Sequence, residues 1–526
     1  MTRNHKKYHK PFLMTKQQIK KLIFFRILLN CIINMKFKNI VTFCFILNCL
    51  LLQYFTKNQD SGKPSTLEDT INTSYKSSSS WFNLQFNSSY QEISENIVNE
   101  NNYCRKVKNY QSIQDISLNK QKLPTEDHRY IFSDYPDHSL VHQTFSVIAR
   151  PILHQKSSKT TLDPKINLFF QVNPLWHELH KMETHFLCEG QRYNHIPGSI
   201  NLNFKDEIAN SFRKYKEYYK GREKCFEPWK ATPYTLDLSA KEQCLEFVES
   251  IKNGKRNEWM YKKARYSHNG DSVAIVSDAV ANELINYYEK ESPCPDNEKF
   301  IAQKYISNPL LLNGRKFDFR VFMFIISMDP LMILYRDGTL RITLEKYRKD
   351  STNFENYLTN SHIADLYLSS VNLTENEYEE KMKDRNINFS KFEEIMKNER
   401  KVPDNWINDS FRYSIKRTML HMVRMNLDKL LSHPRVFEFF GLDFMLDDDL
   451  NAWFIELNLS PQIGTTSKEK NKIYMKIIQD ILDIEYAILY KADLDEVINK
   501  TAFQWVYDGR KTGLDRYHGL LTEECL

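Results

Sequence analysis

Residues 439–461 read FFGLDFMLDDDLNAWFIELNLSP. Two apolar runs flank Asp447-Asp448-Asp449, an acidic, turn-forming centre, and the pattern is that of a β-hairpin. Side chains on a strand alternate between faces, so Glu456 and Asn458 share one face of the second strand. If the first strand turns Asp443 to that face, two carboxylates and an amide meet. Such hard oxygen donors suit Mg²⁺ held alongside nucleotide phosphates.

Four further segments carry chemistry. In residues 314–325, GRKFDFRVFMFI, Lys316, Asp318 and Arg320 alternate with Phe317, Phe319 and Val321. One face is charged and the other is core, and three charges on an otherwise buried strand are costly unless paired or bound to a ligand. Trp259-Met260-Tyr261-Lys262 reads as a strand that delivers a lysine. A polar loop follows at 267–272 and a second strand at 273–276, an arrangement that can hold a lysine over phosphates while loop N–H groups cover them. Residues 301–306 read as an apolar strand running into a short linker whose backbone can meet an adenine edge. Residues 334–341, LYRDGTLR, place a hairpin turn at Asp337-Gly338. They send Arg341 up the return strand, where a guanidinium can grip a carboxylate or phosphate with two parallel bonds.

At 526 residues, with 41% hydrophobic and 13% aromatic side chains, the chain can carry two to three packed domains. Its formal charge of +6 fits an acidic macromolecular partner. Zinc-finger spacing and basic–aromatic modules are missing from the sequence, which argues against nucleic acid. The cysteines (Cys31, Cys44, Cys49, Cys104, Cys188, Cys225, Cys244, Cys294 and Cys525) are scattered and odd in number, with no C-x-x-C pair. They read as reduced thiols.

Residues 1–60 form a basic and apolar leader. Its apolar runs, 22–33 and 40–55, are each shorter than the roughly 20 residues of a membrane span. Read from Met35, the order basic, apolar, polar is that of a secretory signal; read from Met1, the leader could be an anchor or a re-entrant hairpin, and a buried helix is the third reading. Residues 61–130 are polar and Ser/Asn-rich and read as a disordered linker. From 131 onward strand-like and helix-like runs alternate, as in a mixed α and β enzyme. A strand is expected at 166–172 and helices at 205–219, 374–398 and 406–431. Another helix should run to Lys252 from Ser239, which forms a capping-box pattern with Glu242.

Taken in order, QKYI (303–306), NPLLLNGRKFDFRVF (308–322), LYRDGTLR, LTN (358–360) and the 439–461 hairpin resemble the tubulin–tyrosine ligase-like family, over about residues 160–490. NHIPGS at 194–199, with Lys205-Asp206, is similar to elements of its elongating members, the polyglutamylases above all. The resemblance implies an α+β, ATP-grasp fold. Two mixed subdomains, 231–300 and 301–490, would sandwich ATP behind a smaller N-terminal subdomain at 131–230, with an extension at 491–526. It implies that Lys262 and the loop residues His268, Asn269 and Gly270 hold ATP phosphates, and that Gln303, Lys304, Tyr305 and Ile306 form an adenine hinge. Lys316, Asp318, Thr359 and Asn360 would contact the nucleotide, Arg320 its terminal phosphate, and Arg341 the reacting carboxylate or amino acid. Asp443, Glu456 and Asn458 would bind Mg²⁺. The implied reaction is ligation of free glutamate, ahead of glycine, to glutamate side chains in acidic tubulin tails through an acyl phosphate. It would be carried out by a monomer in the cytoplasm, on the cytoskeleton, or at a cilium or basal body. If the leader acts as a signal or anchor, the secretory pathway or a membrane becomes the location. The sequence departs from the family at Lys263 and Ser272 in the nucleotide loop, and at Tyr357 and Asp365. Asp365 would repel a glutamate carboxylate and keeps glycine open. A different acidic target, and a weakly catalytic nucleotide- or microtubule-binding member, are the other readings.

Overall fold

The computed structural model describes residues 131–133, 139, 141, 152–153, 167–171, 187, 190–266, 273–349, 358–359, 377, 385–463 and 468–525. All fall within one compact unit, Glu92–Leu526. The leader at 1–60, the linker at 61–130, the loop residues His268, Asn269, Gly270 and Ser272, and Tyr357, Asn360 and Asp365 lie outside the described residues. Among the described residues no helix is long and apolar enough to cross a membrane.

The fold is mixed α and β, with three sheets that follow one another along the chain. The first is parallel and takes β1 (Ile131–Ser133), β2 (Ile152–Leu153), β3 (Leu168–Phe170) and β4 (Arg192–Tyr193) in the order β2-β1-β3-β4. Helices α1 (Ile200–Asn203) and α2 (Lys205–Tyr218) lead to the second sheet. That sheet is antiparallel, order β5-β8-β6-β7, from β5 (Thr235–Asp237), β6 (Trp259–Lys263), β7 (Val273–Ile275) and β8 (Phe300–Lys304). Helices α3 (Lys241–Lys252) and α4 (Asp278–Asn286) pack on one of its faces: Leu236, Trp259 and Ala302 are buried with Cys244, Phe247 and Ala281. Strand alternation therefore leaves Lys262 and Gln303 on the opposite face.

The third sheet has seven strands: β9 (Leu311–Leu312), β10 (Arg315–Met328), β11 (Leu331–Ile342), β12 (Asn386–Asn388), β13 (Glu438–Leu446), β14 (Ala452–Asn458) and β15 (Gln504–Asp508). Its order is β12-β11-β10-β13-β14, with β15 on β11 and β9 on β10. Helices α5 (Phe389–Glu399) and α6 (Tyr413–Arg424) precede β13, and α7 (Lys468–Leu489) and α8 (Leu494–Asn499) precede β15. Central strand β10 shows how the sequence positions the site. Phe317, Phe319, Val321, Met323 and Ile325 enter the core that includes Phe392 of α5 and Met419 of α6. On the other face, Phe322, Phe324 and Ile326 meet Ile477, Ile478 and Ile481 of α7, each burial stabilising by roughly 1.5–3 kcal/mol. Lys316, Asp318 and Arg320 continue that second face toward the strand's start. It changes from charged to apolar at Phe322, over which the Tyr474 ring of α7 lies at 6.1 Å.

Several expectations are corrected. Asp337-Gly338 is not the hairpin turn; β11 runs through it, and the chain turns at Asp329-Pro330 instead. Arg320 pairs with Thr339 and Phe322 with Arg336, so Asp337 and Gly338 together oppose Val321 as a β-bulge. A Cβ on Gly338 would lie 2.3 Å from the Arg320 carbonyl oxygen, which is why the bulge needs glycine. Ser239 makes no capping box: its Oγ donates to Asp237 Oδ1 at 2.7 Å, and α3 begins after Ala240. The expected 374–398 helix is broken by strand β12 at Asn386–Asn388 and resumes at Phe389, where Asn388 Oδ1 accepts from the Lys391 N–H; Glu377 is helical, and 374–376 and 378–384 lie outside the described residues. The 406–431 helix is a wide turn at Ile407–Arg412, then α6 to Arg424, then a short turn at Leu427–Lys429. Asn426 interrupts it, accepting from Ser211 Oγ at 2.8 Å. The thiols are not all reduced. Cys225–Cys525 and Cys244–Cys294 are disulfides, across 300 and 50 residues of sequence, separations that no local motif reveals.

Candidate active site

Strand register brings the charged residues of β10, β11 and β13 side by side. Asp318 is opposite Arg341, and Arg320 is opposite both Thr339 and Asp443. Arg341 donates from Nε and Nη2 to the two oxygens of Asp318 at 2.7 and 2.6 Å, and its Nη2 lies 2.8 Å from Asp443 Oδ2. Arg320 holds both oxygens of Asp443, with Nη2 at 3.1 Å from Oδ2. Thr359 Oγ1 donates to Asp318. The result is a row, Thr359, Asp318, Arg341, Asp443, Arg320, buried but for the partly buried Arg341. Gly441 makes room for it: a Cβ there would lie 3.1 Å from Arg320 Cδ and 2.8 Å from Pro461 Cβ. Burial pushes the Asp443 carboxyl up, but Arg320 and Arg341 outweigh it and hold the group below the usual carboxylate range. Burial opposes the charge on Arg341, and Asp318 and Asp443 more than restore it.

The hairpin forms as its sequence suggests. Asp447 fastens the turn, accepting from Asn451 N at 2.8 Å and Trp453 Nε1 at 2.8 Å. Asp443 pairs with Glu456 and Gly441 with Asn458, so the two acids and the amide do share a face. They are not equivalent. Asp443 is claimed by two guanidiniums, whereas the Glu456 side chain is a third exposed (33%) and pairs with Lys205 Nζ at 3.4 Å. Asn458 Nδ2 is buried with no hydrogen-bond partner among the described residues. Among those residues no three His, Cys, Asp or Glu side chains form a metal cluster; the donor set here is two acids and an amide.

The second sheet contributes cations from the facing side. Lys262 Nζ donates to Gln303 Oε1 at 2.7 Å, and Gln303 Nε2 donates to Thr235 Oγ1 at 3.0 Å. Burial pushes the Lys262 ammonium down to about 8, with Glu456 pulling it up and Lys205 pressing it further down. Lys316 falls to about 7 through burial and then through Lys262, with Asp318 opposing. Its Nζ sits 5.0 Å over the Tyr305 ring. Lys304 turns away to Glu258 at 2.7 Å. The backbone N–H groups of Lys304 and Tyr305 donate to the carbonyls of Tyr234 and Glu258. Of the expected hinge donors, those two are therefore spent within the protein, and Ile306 follows directly after them. A narrow cleft between α2, β8 and β14 is lined in part by Lys205, Thr235, Gln303, Ile455 and Glu456.

Two residues given no role from sequence belong to this cluster. Lys205 opens α2 beside Glu456; the Lys205-Asp206 dipeptide was the available signal. Lys470, in the first turn of α7, is buried and is pushed down to about 7 by burial, then by Arg341, Arg320 and Arg385. Nothing near it in sequence marks it, since only the packing of α7 over β10 brings it there.

The model of the tubulin-tyrosine ligase family matches residues 181–495, more than half of the chain. Among curated proteins, the chain is 28% identical over 227 residues to protein polyglycylase TTLL10 of Macaca fascicularis (43% of this chain, 36% of that protein). It is 26% identical over 272 residues to tubulin glycylase 3C of Tetrahymena thermophila (51% and 24%). It is 27% identical over 360 residues to the probable tubulin polyglutamylase TTLL2 of Homo sapiens (64% and 53%). The chain thus spans between about a quarter and about half of the length of these relatives.

Proposed function

The chain belongs to the tubulin-tyrosine ligase family, and from that premise we propose that it is an ATP-dependent ligase of ATP-grasp type that joins a free amino acid, glutamate ahead of glycine, to glutamate side chains in acidic protein tails of the kind tubulin carries. The observation that carries this reading is the row Asp318–Arg341–Asp443–Arg320, continued on the same face of β10 by the Lys316 ammonium, with Lys262 of the second sheet close to it. Cations kept in a fixed, water-poor geometry stabilise charge that develops on phosphoryl and carboxylate oxygens.

In this reading Lys262, Lys316 and Lys205 bind the phosphates of ATP, Gln303 and the Tyr305–Ile306 backbone sit at the base, and Arg320 faces the terminal phosphate. Arg341, oriented by Asp318, grips the carboxylate to be activated. That carboxylate oxygen forms a bond to the terminal phosphorus as ADP leaves. The neutral amine of the incoming amino acid then forms the amide bond, and inorganic phosphate leaves with the carboxylate's former oxygen. The donor set fits a hard divalent cation. Glu456 keeps a partly exposed carboxylate and Asn458 would turn its amide oxygen to the cation, while its buried Nδ2, without a partner among the described residues, would donate to a phosphate oxygen. When bound, Mg²⁺ neutralises phosphate charge. Asp443 holds Arg320 and Arg341 in place more than it serves as a ligand.

The test is mass spectrometry of tubulin tails after incubation with the full chain, ATP, Mg²⁺ and either glutamate or glycine. Glutamyl additions are expected; unmodified tails with both amino acids, on a folded protein that binds no ATP, would sink the reading.

A further inference from the structure

Four cysteines lie among the described residues, and all four are paired, with none left as a free thiol. Cys244 of α3 joins Cys294, in the segment that leads into β8. The bond clips helix to sheet in the unit that presents Lys262 and Gln303. Cys225, after α2, joins Cys525 across 300 residues. Polar contacts reinforce this second clasp: Arg424 Nη2 donates to the Cys525 carbonyl at 2.9 Å, Arg222 Nη1 to the Glu524 carbonyl at 3.1 Å, and Lys224 pairs with Glu524 at 2.7 Å. Each cysteine is at least 94% buried, so small reductants reach these bonds poorly. Neither bond includes a residue of the charged row or a member of the lysine set, so they brace the scaffold and take no part in the chemistry.

We infer that this ligase is built to fold and work in an oxidising, secretory-type compartment. The inference rests on the ligase reading for the reaction and on the disulfides for the place. Structural disulfides persist where thiols are oxidised and are rare where glutathione and thioredoxin keep them reduced. Two bonds that draw in every described cysteine, across long and unrelated separations, are the signature of a protein that matures with oxidative help. Each bond forms by thiol–disulfide exchange: two thiols lose two protons and two electrons to a protein disulfide of that compartment, which leaves as the dithiol. The sequence agrees independently. From Met35 the chain runs basic, apolar and then polar to Asp60, the order of a secretory signal.

The experiment expresses the full chain in eukaryotic cells, blocks free thiols with N-ethylmaleimide at lysis, and digests without reduction. Linked peptides containing Cys225 with Cys525 and Cys244 with Cys294 are expected. Recovery of all four as alkylated thiols overturns the inference and leaves the ligase reading standing. The same purified protein is then offered ATP, Mg²⁺, glutamate or glycine, and a glutamate-rich peptide. If the bonds are present but nothing is ligated, the ligase reading fails and the compartment survives. As a second measure, the Cys244→Ser/Cys294→Ser variant should lower Tm by roughly 5–10 °C. An unchanged Tm together with alkylated thiols in the parent would show that the bonds brace nothing.

Discussion

Asp443→Asn separates the two duties an acid can have in this hairpin. The wild-type carboxylate is buried and holds Arg320 by two contacts and Arg341 by one. Removing its charge leaves Arg341 with Asp318 and deprives Arg320 of its carboxylate partner. Breaking a buried ion pair from one side costs about 3–5 kcal/mol, and the retained amide oxygen, which can still accept one hydrogen bond, places the variant toward the lower end. At ~2 °C per kcal/mol for a unit of this size, Tm should fall by roughly 6–10 °C. The sign of the pH dependence follows from the depressed carboxyl. Its folded value lies below the ordinary one, so its stabilisation is fully present above the unfolded value of about 3.9 and is lost as pH falls through the folded value. Differential scanning calorimetry of both proteins should therefore show a constant gap in Tm from pH 7 to pH 5 that narrows below about pH 4. A variant as stable as wild type at pH 7, or a gap that stays fixed in acid, would mean that Asp443 is not the anion that fixes the two guanidiniums.

Glu456→Gln should behave in the opposite way: its contact with Lys205 is partly open to solvent, with the Glu456 side chain a third exposed, and is worth at most ~1 kcal/mol, so Tm should hold within about 2 °C while amino-acid ligation, followed by mass spectrometry, disappears. Gly441→Ala should cost about 1–3 kcal/mol of overpacking against Pro461 and Arg320, seen as a lower urea midpoint with unchanged slope. Because Lys262 and Lys316 are held at about 8 and about 7, they are partly neutral in the free protein at pH 8 and regain protons when phosphates arrive. ATP binding should take up protons there, and its Kd should rise with pH above about 7, by up to tenfold per pH unit for each lysine; calorimetry in buffers of different ionisation enthalpy measures the uptake, and zero uptake refutes it.

Period-two alternation made much of this legible in advance. It fixes which of residues 316–321 face the core, and it aligns Glu456 with Asn458; both hold in β10 and β14. Alternation says nothing of what lies across the face. The site ends at Phe322 because α7 begins to cover β10 there, and the helix that does so is outside any local window. Asp337-Gly338 suits a type I′ turn and a bulge equally well, since both ask for a small residue where another backbone comes close; the flanking register decided for the bulge. The cysteines misled for a different reason: pairing across 300 residues is a property of the finished chain path.

Asp443 is the most instructive of these residues. In sequence it is an acid in register with another acid, which reads as a metal ligand. A carboxylate, however, belongs to whichever cations the neighbouring strands deliver. Here β10 places Arg320 directly opposite it and β11 extends Arg341 across β10 to the same oxygens. β14 ends the main strand order, and Glu456, on the same face as Asp443, pairs there with Lys205 and stays a third exposed. Position within the sheet, interior for Asp443 and edge for Glu456, leaves one acid paired with two guanidiniums and the other partly exposed at the cleft.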